Sequence, residues 1–325
     1  MELILTLDVG TTSVKACLFD RQLRQTALTS REYALQTRGV CAEVEAQVYL
    51  DAAAQCILAL PAEARAKVCA VALTTQGETL LCVDRQGKAL RPAIVWLDSR
   101  AEAQAARLAA VLDRQRFYER TGLPELSGAL PLAKLLWLRE QEPESWARTD
   151  KFLLLEDYLM LWLTGRAVTE KSLLTSTGYF DLQSDDYWDE ALALAELDRT
   201  CLPQALACGS IVGPVLPEVA EALGLPASAC VVTGAMDQTA AALAAGCTRP
   251  GTLCETTGTA MVAAAFTAHP QFSEDHHVTI YRHAMPGAYL YLPISNTIGM
   301  SLRWFRDEFC RDLDGGYAAL DRLAE

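Results

Sequence analysis

Two short apolar runs separated by a polar turn open the chain. Residues 3–7 and 14–19 are mainly apolar, and the turn-rich residues 10–13 lie between them. Short apolar runs bounded by turn residues are typical of β-strands. We therefore predict a β-hairpin at the start of the chain.

Strand-like and helix-like segments alternate along the rest of the chain, and this alternation predicts an α/β fold. Helices are predicted over residues 51–60, 101–116, 131–140 and 217–223, the last one ending at Gly224, and strands over residues 68–74, 80–84 and 229–233. Later strands are predicted over residues 258–266, 278–282 and 288–293, followed by an amphipathic helix that carries Leu302, Phe305 and Phe309.

A Pro-Gly break divides the chain into two predicted domains. Residues 248–251 (Thr-Arg-Pro-Gly) interrupt the alanine-rich stretch that ends at Gly246, and a new series of strands starts beyond them. We predict a first domain over residues 1–246 and a second over residues 247–325. The piece after the break, roughly 75 residues, is too short for a complete nucleotide-binding domain.

The composition indicates a large folded core under an acidic surface. The chain has 325 residues, of which 51% are hydrophobic, and this excludes disordered and fibrous classes. Acidic residues outnumber basic ones by 41 to 28, for a net charge of -13. Such a charge disfavours a protein that neutralises nucleic-acid phosphates over a broad face, so we expect no nucleic-acid partner.

The cysteines are interpreted as reduced core residues. Cys17, Cys56, Cys69, Cys82 and Cys230 lie in apolar runs, and no two cysteines are separated by two residues. Neither a secretory leader nor a membrane-spanning run is predicted, so we expect a cytoplasmic protein without a membrane partner.

The first turn carries groups suited to a phosphate. A carboxylate ends the first strand, and a glycine, hydroxyls and an ammonium follow: Asp8, Gly10, Thr11, Thr12, Ser13 and Lys15. Turn N–H groups and hydroxyls can cradle phosphoryl oxygens, Asp8 can hold a hydrated Mg²⁺, and Lys15 can offset charge. An ordinary polar hairpin turn explains the same residues, and both interpretations stand at this point.

Two predicted strands end in residues suited to a sugar. Gln76 and Glu78 follow one strand, and Trp96, Asp98 and Arg100 lie at the end of another. Carboxylates and amides make directional hydrogen bonds to hydroxyls, while an indole face can cover the C–H side of a sugar. The structural alternatives are a core tryptophan and a loop ion pair between Asp98 and Arg100.

A further acidic residue lies where a predicted strand leads into an alanine-rich helix. Asp237 and Gln238 follow the apolar run over residues 229–233 and the glycine after it. Asp237 in this position is suited to act as a general base for a substrate hydroxyl. An N-cap of the following helix is the alternative explanation.

A second threonine-glycine loop follows the predicted boundary. Thr257, Gly258 and Thr259 repeat the chemistry of the first loop. Two such loops facing each other would hold one polyphosphate between them, which is more specific than either loop alone.

The histidines all lie in one late segment of the chain. They are His269, His276, His277 and His283. No cysteine or carboxylate stands at a spacing characteristic of zinc, so we predict a solvated loop or hairpin and no metal site there.

Together, and in this order, these motifs resemble the FGGY family of carbohydrate kinases. The resemblance runs nearly the whole length of the chain. It also includes Thr121-Gly122-Leu123 with Lys134 and Trp137, Asp157-Tyr158 with Leu163-Thr164-Gly165, Trp188-Asp189, Leu202-Pro203, and Gly299 with Trp304-Phe305-Arg306-Asp307.

The resemblance implies an actin-like, ribonuclease-H-like fold and ATP-dependent phosphorylation of a ketose or polyol hydroxyl, with Mg²⁺. By matching position, Asp237 is the catalytic base and the Asp8 to Lys15 turn is the phosphate and Mg²⁺ loop. Thr257, Gly258, Thr259 and Gly299 belong to the nucleotide site. The sugar-site residues implied are Gln76, Glu78, Trp96, Asp98, Arg100 and Gln238.

The sequence departs from the family pattern in two ways. Gly77 stands where glycerol kinases carry an arginine, and the Gln-Met-His-Gly motif of xylulose kinases is absent, so glycerol is disfavoured and the sugar stays open. The family's second domain normally continues beyond residue 325 with a glycine-rich adenine-binding segment. We therefore expect a C-terminally truncated kinase with little or no activity of its own. We also expect exposed apolar surface around Val262, Phe266 and Phe305, which favours aggregation or a homodimer.

Two other functions compete with the kinase. A sugar-binding remnant that lacks turnover fits the length of the chain. An actin-like or chaperone-like ATPase fits the fold but leaves Asp237 and residues 96–100 without an explanation.

Overall fold

The protein is described from a computed structural model that covers residues 2–257, 261–295, 298–311 and 316–324. Within these ranges, no helix is both long enough and apolar enough to cross a lipid bilayer.

The strands begin with the predicted hairpin. They are β1 (Leu3–Val9), β2 (Ser13–Phe19), β3 (Gln25–Glu32), β4 (Gln36–Arg38), β5 (Cys41–Val44), β6 (Val68–Thr75), β7 (Leu80–Val83), β8 (Ala93–Ile94), β9 (Lys151–Leu154), β10 (Val168–Glu170), β11 (Phe180–Asp181), β12 (Asp186–Tyr187), β13 (Gln204–Leu206), β14 (Ile211–Pro214), β15 (Cys230–Met236), β16 (Leu253–Thr257), β17 (Met261–Thr267), β18 (Ile280–Arg282), β19 (Tyr289–Tyr291) and β20 (Ile294–Ser295).

The helices are distributed between these strands. They are α1 (Ala46–Ala59), α2 (Ala62–Arg65), α3 (Glu102–Val111), α4 (Arg114–Thr121), α5 (Pro131–Gln141), α6 (Pro143–Arg148), α7 (Leu155–Thr164), α8 (Lys171–Leu174), α9 (Asp189–Leu194), α10 (Pro217–Leu223), α11 (Asp237–Ala244), α12 (Ile298–Phe309) and α13 (Gly316–Ala324), with a short 3₁₀ turn over Arg199–Cys201.

The central sheet has the strand order β14-β15-β6-β1-β2-β3. Strands β1, β6 and β15 run parallel, whereas β2 is antiparallel to β1 in the confirmed hairpin. Alternate residues of β1 are buried, as expected for a strand that packs one face on a core. The carboxyl ends of β1, β6 and β15 therefore meet at one edge of the sheet.

Two five-stranded sheets and two two-stranded sheets, β10-β13 and β11-β12, accompany the central sheet in the described residues. Both five-stranded sheets are relevant to the site. The first has the order β4-β5-β8-β7-β9, and the second has the order β16-β17-β19-β18 with β20 paired to β17. Apolar side chains of the second of these sheets, including Ala264, Ile280 and Leu290, share a core with Leu80, Phe117 and other residues that precede position 247. The division at residue 246 stays a prediction.

The structure corrects one predicted helix and confirms another. The predicted helix over residues 101–116 is two helices, α3 and α4, because Asp113 accepts a hydrogen bond from the Arg116 N–H at 2.8 Å and starts a new helix. The prediction over residues 217–223 is confirmed by α10, which ends at Gly224 in the left-handed conformation.

The predictions for cysteines and histidines need correction at single positions. Cys69 is exposed, because its side chain lies on the outer face of β6. His277 is partly buried and stacks on Tyr118 with ring centroids 4.4 Å apart, and His283 is buried, so these two are packed residues rather than parts of a solvated loop.

Candidate active site

The strand register brings three of the predicted constellations to one edge of the central sheet. Val9 pairs with Thr75, and Thr75 pairs with Met236. The next residues along β6 and β15 are Gln76 and Asp237, so a buried amide and a carboxylate leave adjacent strand ends. Polar groups at the carboxyl ends of parallel strands are the usual location of a ligand site in α/β proteins.

Asp8 precedes the end of β1 and faces the same region. It pairs with Thr74 on β6 and with Lys15 on β2, and its carboxylate lies 3.4 Å from the Lys15 ammonium. Both side chains are about half exposed, so the ion pair leaves the carboxylate accessible to solvent.

Asp237 is the first residue of α11, and its carboxylate accepts a hydrogen bond from the Gln238 N–H at 2.6 Å. Burial raises the pKa of Asp237 to about 6; the negative charge of Asp8 raises it further, while the Gln238 N–H opposes the shift. A partly exposed carboxyl with a pKa near neutrality is suited to accept a proton. The N-cap of α11 is Met236, so the alternative that Asp237 is the N-cap is wrong; among the described residues, the Asp237 carboxylate bonds only to the N–H of the next residue in the first turn.

The end of β15 is held by buried groups that sequence reasoning missed. The Met236 N–H donates to Glu170 Oε1 at 3.2 Å and to Ser172 Oγ at 3.1 Å, and the Gly234 N–H donates to Glu156 Oε1 at 2.9 Å. Burial raises the pKa of Glu170 to about 7. These contacts fix the main chain immediately before Asp237.

The predicted phosphate loop is a tight turn. The Gly10 N–H donates to the Ser13 carbonyl oxygen at 3.0 Å, and the Tyr33 N–H donates to the Thr12 carbonyl oxygen at 2.9 Å. The Thr11 hydroxyl accepts a hydrogen bond from Trp96 Nε1 at 2.9 Å. This contact joins the predicted phosphate loop to the predicted sugar site, and it shows that Trp96 is not a core residue.

The sugar-site prediction for Trp96 and Gln76 fits their surroundings. Trp96 is 39% exposed, so its indole face is available to a ligand. Gln76 is buried and its Nε2 donates to the Tyr49 hydroxyl at 3.4 Å, but its Oε1 has no hydrogen-bond partner among the described residues. An unpartnered buried amide oxygen at a strand end suits a ligand hydroxyl.

Glu78 is fixed through both its main chain and its side chain. Its backbone has a φ of 49°, in the left-handed region that residues with a side chain rarely adopt. The Lys134 ammonium donates to the Glu78 carbonyl oxygen at 3.2 Å and to the Val95 carbonyl oxygen at 3.0 Å, while the Tyr281 hydroxyl donates to Glu78 Oε1 at 3.3 Å. Lys134 therefore joins the two segments that carry Glu78 and Trp96.

Burial shifts the protonation of this group of residues. It raises the pKa of Glu78 to about 7, with the Lys134 charge opposing the shift and the Asp237 charge adding to it. Burial lowers the pKa of Lys134, and the Glu78 charge opposes that shift. Asp8, Asp237 and Glu78 thus form one electrostatically linked cluster at the strand ends.

The polar atoms of Asp98 and Arg100 are occupied within the protein. Asp98 is fully buried; it accepts the Ala42 N–H at 2.6 Å and forms an ion pair with Arg100 at 2.6 Å. Arg100 also pairs with Glu43 at 2.8 Å and lies over the Trp137 ring. This is the loop ion pair that the sequence left open, and direct sugar contact by the two residues stays a prediction.

Gly77 lies in a confined space beside the candidate base. A β-carbon at this position would lie 3.2 Å from Ser176 Oγ and 3.4 Å from Met236 Sδ. Any side chain at position 77 would therefore begin in contact with Ser176 and Met236.

The remaining nucleotide-site predictions fall in the last third of the chain. Thr257 ends β16, and Gly299 lies in the first turn of α12. Gly258 and Thr259 lie outside the described residues. These assignments stay predictions.

Sequence signals differ in strength for the site residues whose roles were not predicted. Lys134 was named in the family resemblance but without a role at the site; it stands in an apolar helical run and is fully buried, and a buried lysine needs partners. Tyr281 is the aromatic residue of the short strand β18, an ordinary core position, and its contact with Glu78 spans 203 positions. Glu170 precedes a short helix like an ordinary cap, so nothing local indicated its bond to Met236.

Comparison with known proteins identifies the family. The N-terminal domain model of the FGGY family of carbohydrate kinases matches residues 3–244. The chain is 30% identical to a xylulose kinase of Lactococcus lactis over 96% of this chain and 63% of that protein, and 27% identical to a gluconokinase of Bacillus subtilis over 94% and 60%. The chain thus spans less than two thirds of the length of these relatives.

A solved structure supports the same assignment. The xylulose kinase of Rhodospirillum rubrum superposes with a TM-score of 0.90 at 28% identity, over 99% of this chain and 66% of that one. The fold is therefore the actin-like, ribonuclease-H-like α/β fold of these kinases, as the resemblance implied. The chain belongs to the FGGY family of carbohydrate kinases.

Proposed function

We propose that this chain provides the sugar site and the catalytic base of an ATP-dependent kinase that phosphorylates a hydroxyl of a ketose or polyol. The observation that carries the proposal is the position of Asp237 at the end of β15, electrostatically linked to Glu78 and Asp8, with its pKa raised to about 6. A base for an alcohol needs this combination of a fixed position and a pKa near the working pH.

Asp237 and the side chains around it have different proposed roles. Asp237 accepts the proton of the reacting hydroxyl as that oxygen attacks the γ-phosphorus of ATP, and the bond from that phosphorus to the bridging oxygen breaks to release ADP. The Glu78 carboxylate and the Gln76 amide oxygen accept hydrogen bonds from the other hydroxyls. The exposed Trp96 indole covers an apolar face of the sugar. Gln238 follows Asp237 and is partly exposed, so it can contact the sugar from α11.

The residues for ATP and Mg²⁺ are those of the first turn. Asp8 offers the carboxylate oxygens that Mg²⁺ prefers, and the turn of Gly10 to Ser13 offers hydroxyls and N–H groups to phosphate. When bound, Mg²⁺ neutralises charge on the transferred phosphoryl group. Thr257, Gly258, Thr259 and Gly299 are the proposed second side of the nucleotide site.

The residue at position 77 bears on the substrate class. Glycine stands where glycerol kinases carry an arginine, so that arginine has no counterpart here and glycerol is disfavoured. Two of the relatives are a xylulose kinase and a gluconokinase, and these names point to sugars and sugar acids of similar size. A homodimer stays a prediction.

Two measurements on the unchanged chain test the proposal. Calorimetric titration with ketoses and polyols should show binding of at least one of them without ATP, because the proposed sugar contacts belong to described, folded segments. A coupled ADP-release assay with the sugar that binds then separates a kinase from a sugar-binding protein without turnover. If no sugar binds at millimolar concentration to demonstrably folded protein, the proposal is wrong.

A further inference from the structure

Tyr281 contacts a proposed sugar-site residue from the sheet that follows the predicted domain boundary. Its hydroxyl donates to Glu78 Oε1 at 3.3 Å across 203 positions of sequence. Tyr281 is 5% exposed, so this bond is shielded from competing water. The sugar site is therefore not built by residues before position 247 alone.

The position of Tyr281 is fixed by its neighbour in β18. The Ile280 N–H donates to the Gly122 carbonyl oxygen at 2.8 Å, and Gly122 adopts a φ of 75°. A β-carbon on Gly122 would lie 2.2 Å from the Ile280 carbonyl oxygen, so only glycine permits this close approach. The strand is thus anchored on the end of α4, and Ile280 itself is fully buried.

Glu78 is the partner whose orientation this contact decides. Lys134 holds its main-chain oxygen, and the left-handed backbone turns its side chain away from the path of a regular strand. A carboxylate has two oxygens with about four acceptor positions. Tyr281 uses one of these positions, and the Ser176 side chain is a second hydrogen-bond partner. The Tyr281 bond helps to orient the carboxylate, and the remaining positions are open to sugar hydroxyls.

We propose that Tyr281 is a positioning residue that sets sugar selectivity by orienting the Glu78 carboxylate. The inference rests on the proposed function, because Glu78 must contact the sugar. A carboxylate that is free to rotate would accept hydroxyls from more directions, so losing the Tyr281 hydroxyl relaxes discrimination between sugars that differ at one hydroxyl.

Tyr281→Phe removes only the hydroxyl and tests the inference. Tyr187→Phe is the matched control, because Tyr187 is buried and its hydroxyl donates to the Pro203 carbonyl oxygen at 2.8 Å; among the described residues, its hydroxyl has no hydrogen bond to a proposed site residue. Calorimetric titration should show roughly tenfold weaker binding of the preferred sugar by Tyr281→Phe and a smaller ratio between that sugar and its epimers. The control should match the unchanged chain.

A second readout needs no sugar. Because the Tyr281 hydroxyl stabilises the charged carboxylate, the pKa of Glu78 should rise in Tyr281→Phe, measured by carbon-13 NMR with Glu78→Gln to assign the signal. Unchanged selectivity and an unchanged Glu78 pKa in Tyr281→Phe would overturn the inference while leaving the kinase proposal intact. Failure of the unchanged chain to bind any sugar would overturn both.

Discussion

Gly234 passes so close to Leu73 that a β-carbon at position 234 would lie 1.4 Å from the Leu73 carbonyl oxygen. This approach occurs where the register between β6 and β15 shifts, between Val232 and Ala235. Because of this shift, the Gly234 N–H bonds to Glu156 Oε1. The same shift sets the course of the last residues of β15, which lead to Asp237.

Gly234→Ala should therefore displace β15 from β6. We expect a loss of about 3 kcal/mol or more in the free energy of unfolding, since backbone and not a flexible side chain must move. Gly39→Ala is the control: Gly39 has a φ of 61° with nothing near its β-carbon position, so only backbone strain of about 1–2 kcal/mol applies. Urea unfolding compares the two, and equal losses would show that the sheet accommodates the methyl group.

Asp237→Asn keeps the shape and the bond to the Gln238 N–H but cannot accept a proton. If the chain turns over, kcat should fall roughly 10²-fold or more with little change in melting temperature. Asp189→Asn is the control, because Asp189 likewise begins a helix but its side chain is 80% exposed. Lost stability with retained turnover would instead assign Asp237 to stabilising the first turn of α11.

The pH dependence gives an independent check on the same residue. Its pKa is raised to about 6, and a general base acts only when it is deprotonated. The value of kcat/KM should therefore rise with pH through about 6. A profile that is flat between pH 5 and pH 7 would contradict the assignment.

Glu170→Gln should slow turnover by displacing Asp237, and it should not weaken sugar binding. Glu170 accepts from Met236 and from the Ser172 N–H at 2.7 Å, and an amide nitrogen in place of one oxygen would face a donor. We expect kcat to fall about tenfold while the sugar KM changes little. Ser172→Ala removes one of the two acceptors of the Met236 N–H and should have a smaller effect. An altered KM with unchanged kcat would show that Glu170 does not position the base.

Asp157 should make stability depend on pH. Burial raises its pKa to about 8, opposed by the Leu154 N–H, from about 4 in the unfolded chain. Between these two pKa values the folded protein holds a proton on Asp157 that the unfolded chain has lost. The contribution of this proton to the free energy of unfolding is therefore fully present below about pH 4 and is lost as pH rises through about 8. Urea unfolding at a series of pH values measures this contribution. The free energy of unfolding should decline less steeply with pH in Asp157→Asn than in the unchanged chain, because the asparagine can still accept the Leu154 N–H but does not titrate. The same pH dependence in both proteins would contradict the prediction.

Much of the architecture could be predicted from local sequence. The alternation in β1, the apolar run of β15 and the glycine after α10 were correct because strand periodicity and helix ends depend on residues a few positions apart. The interruption between α3 and α4 was missed, because a single Asp113 cap outweighs a continuous run of good helix formers.

The sequence by itself determined which chemical groups stand at the ends of β1, β6 and β15, since a polar residue after an apolar run is a local signal. Only the tertiary structure decided how those groups are held. Strand register brought Asp8, Gln76 and Asp237 together, and contacts such as Trp96 with Thr11 and Tyr281 with Glu78 join residues 85 and 203 positions apart. No local pattern encodes such pairs, because they exist only after the sheets have packed on their shared core.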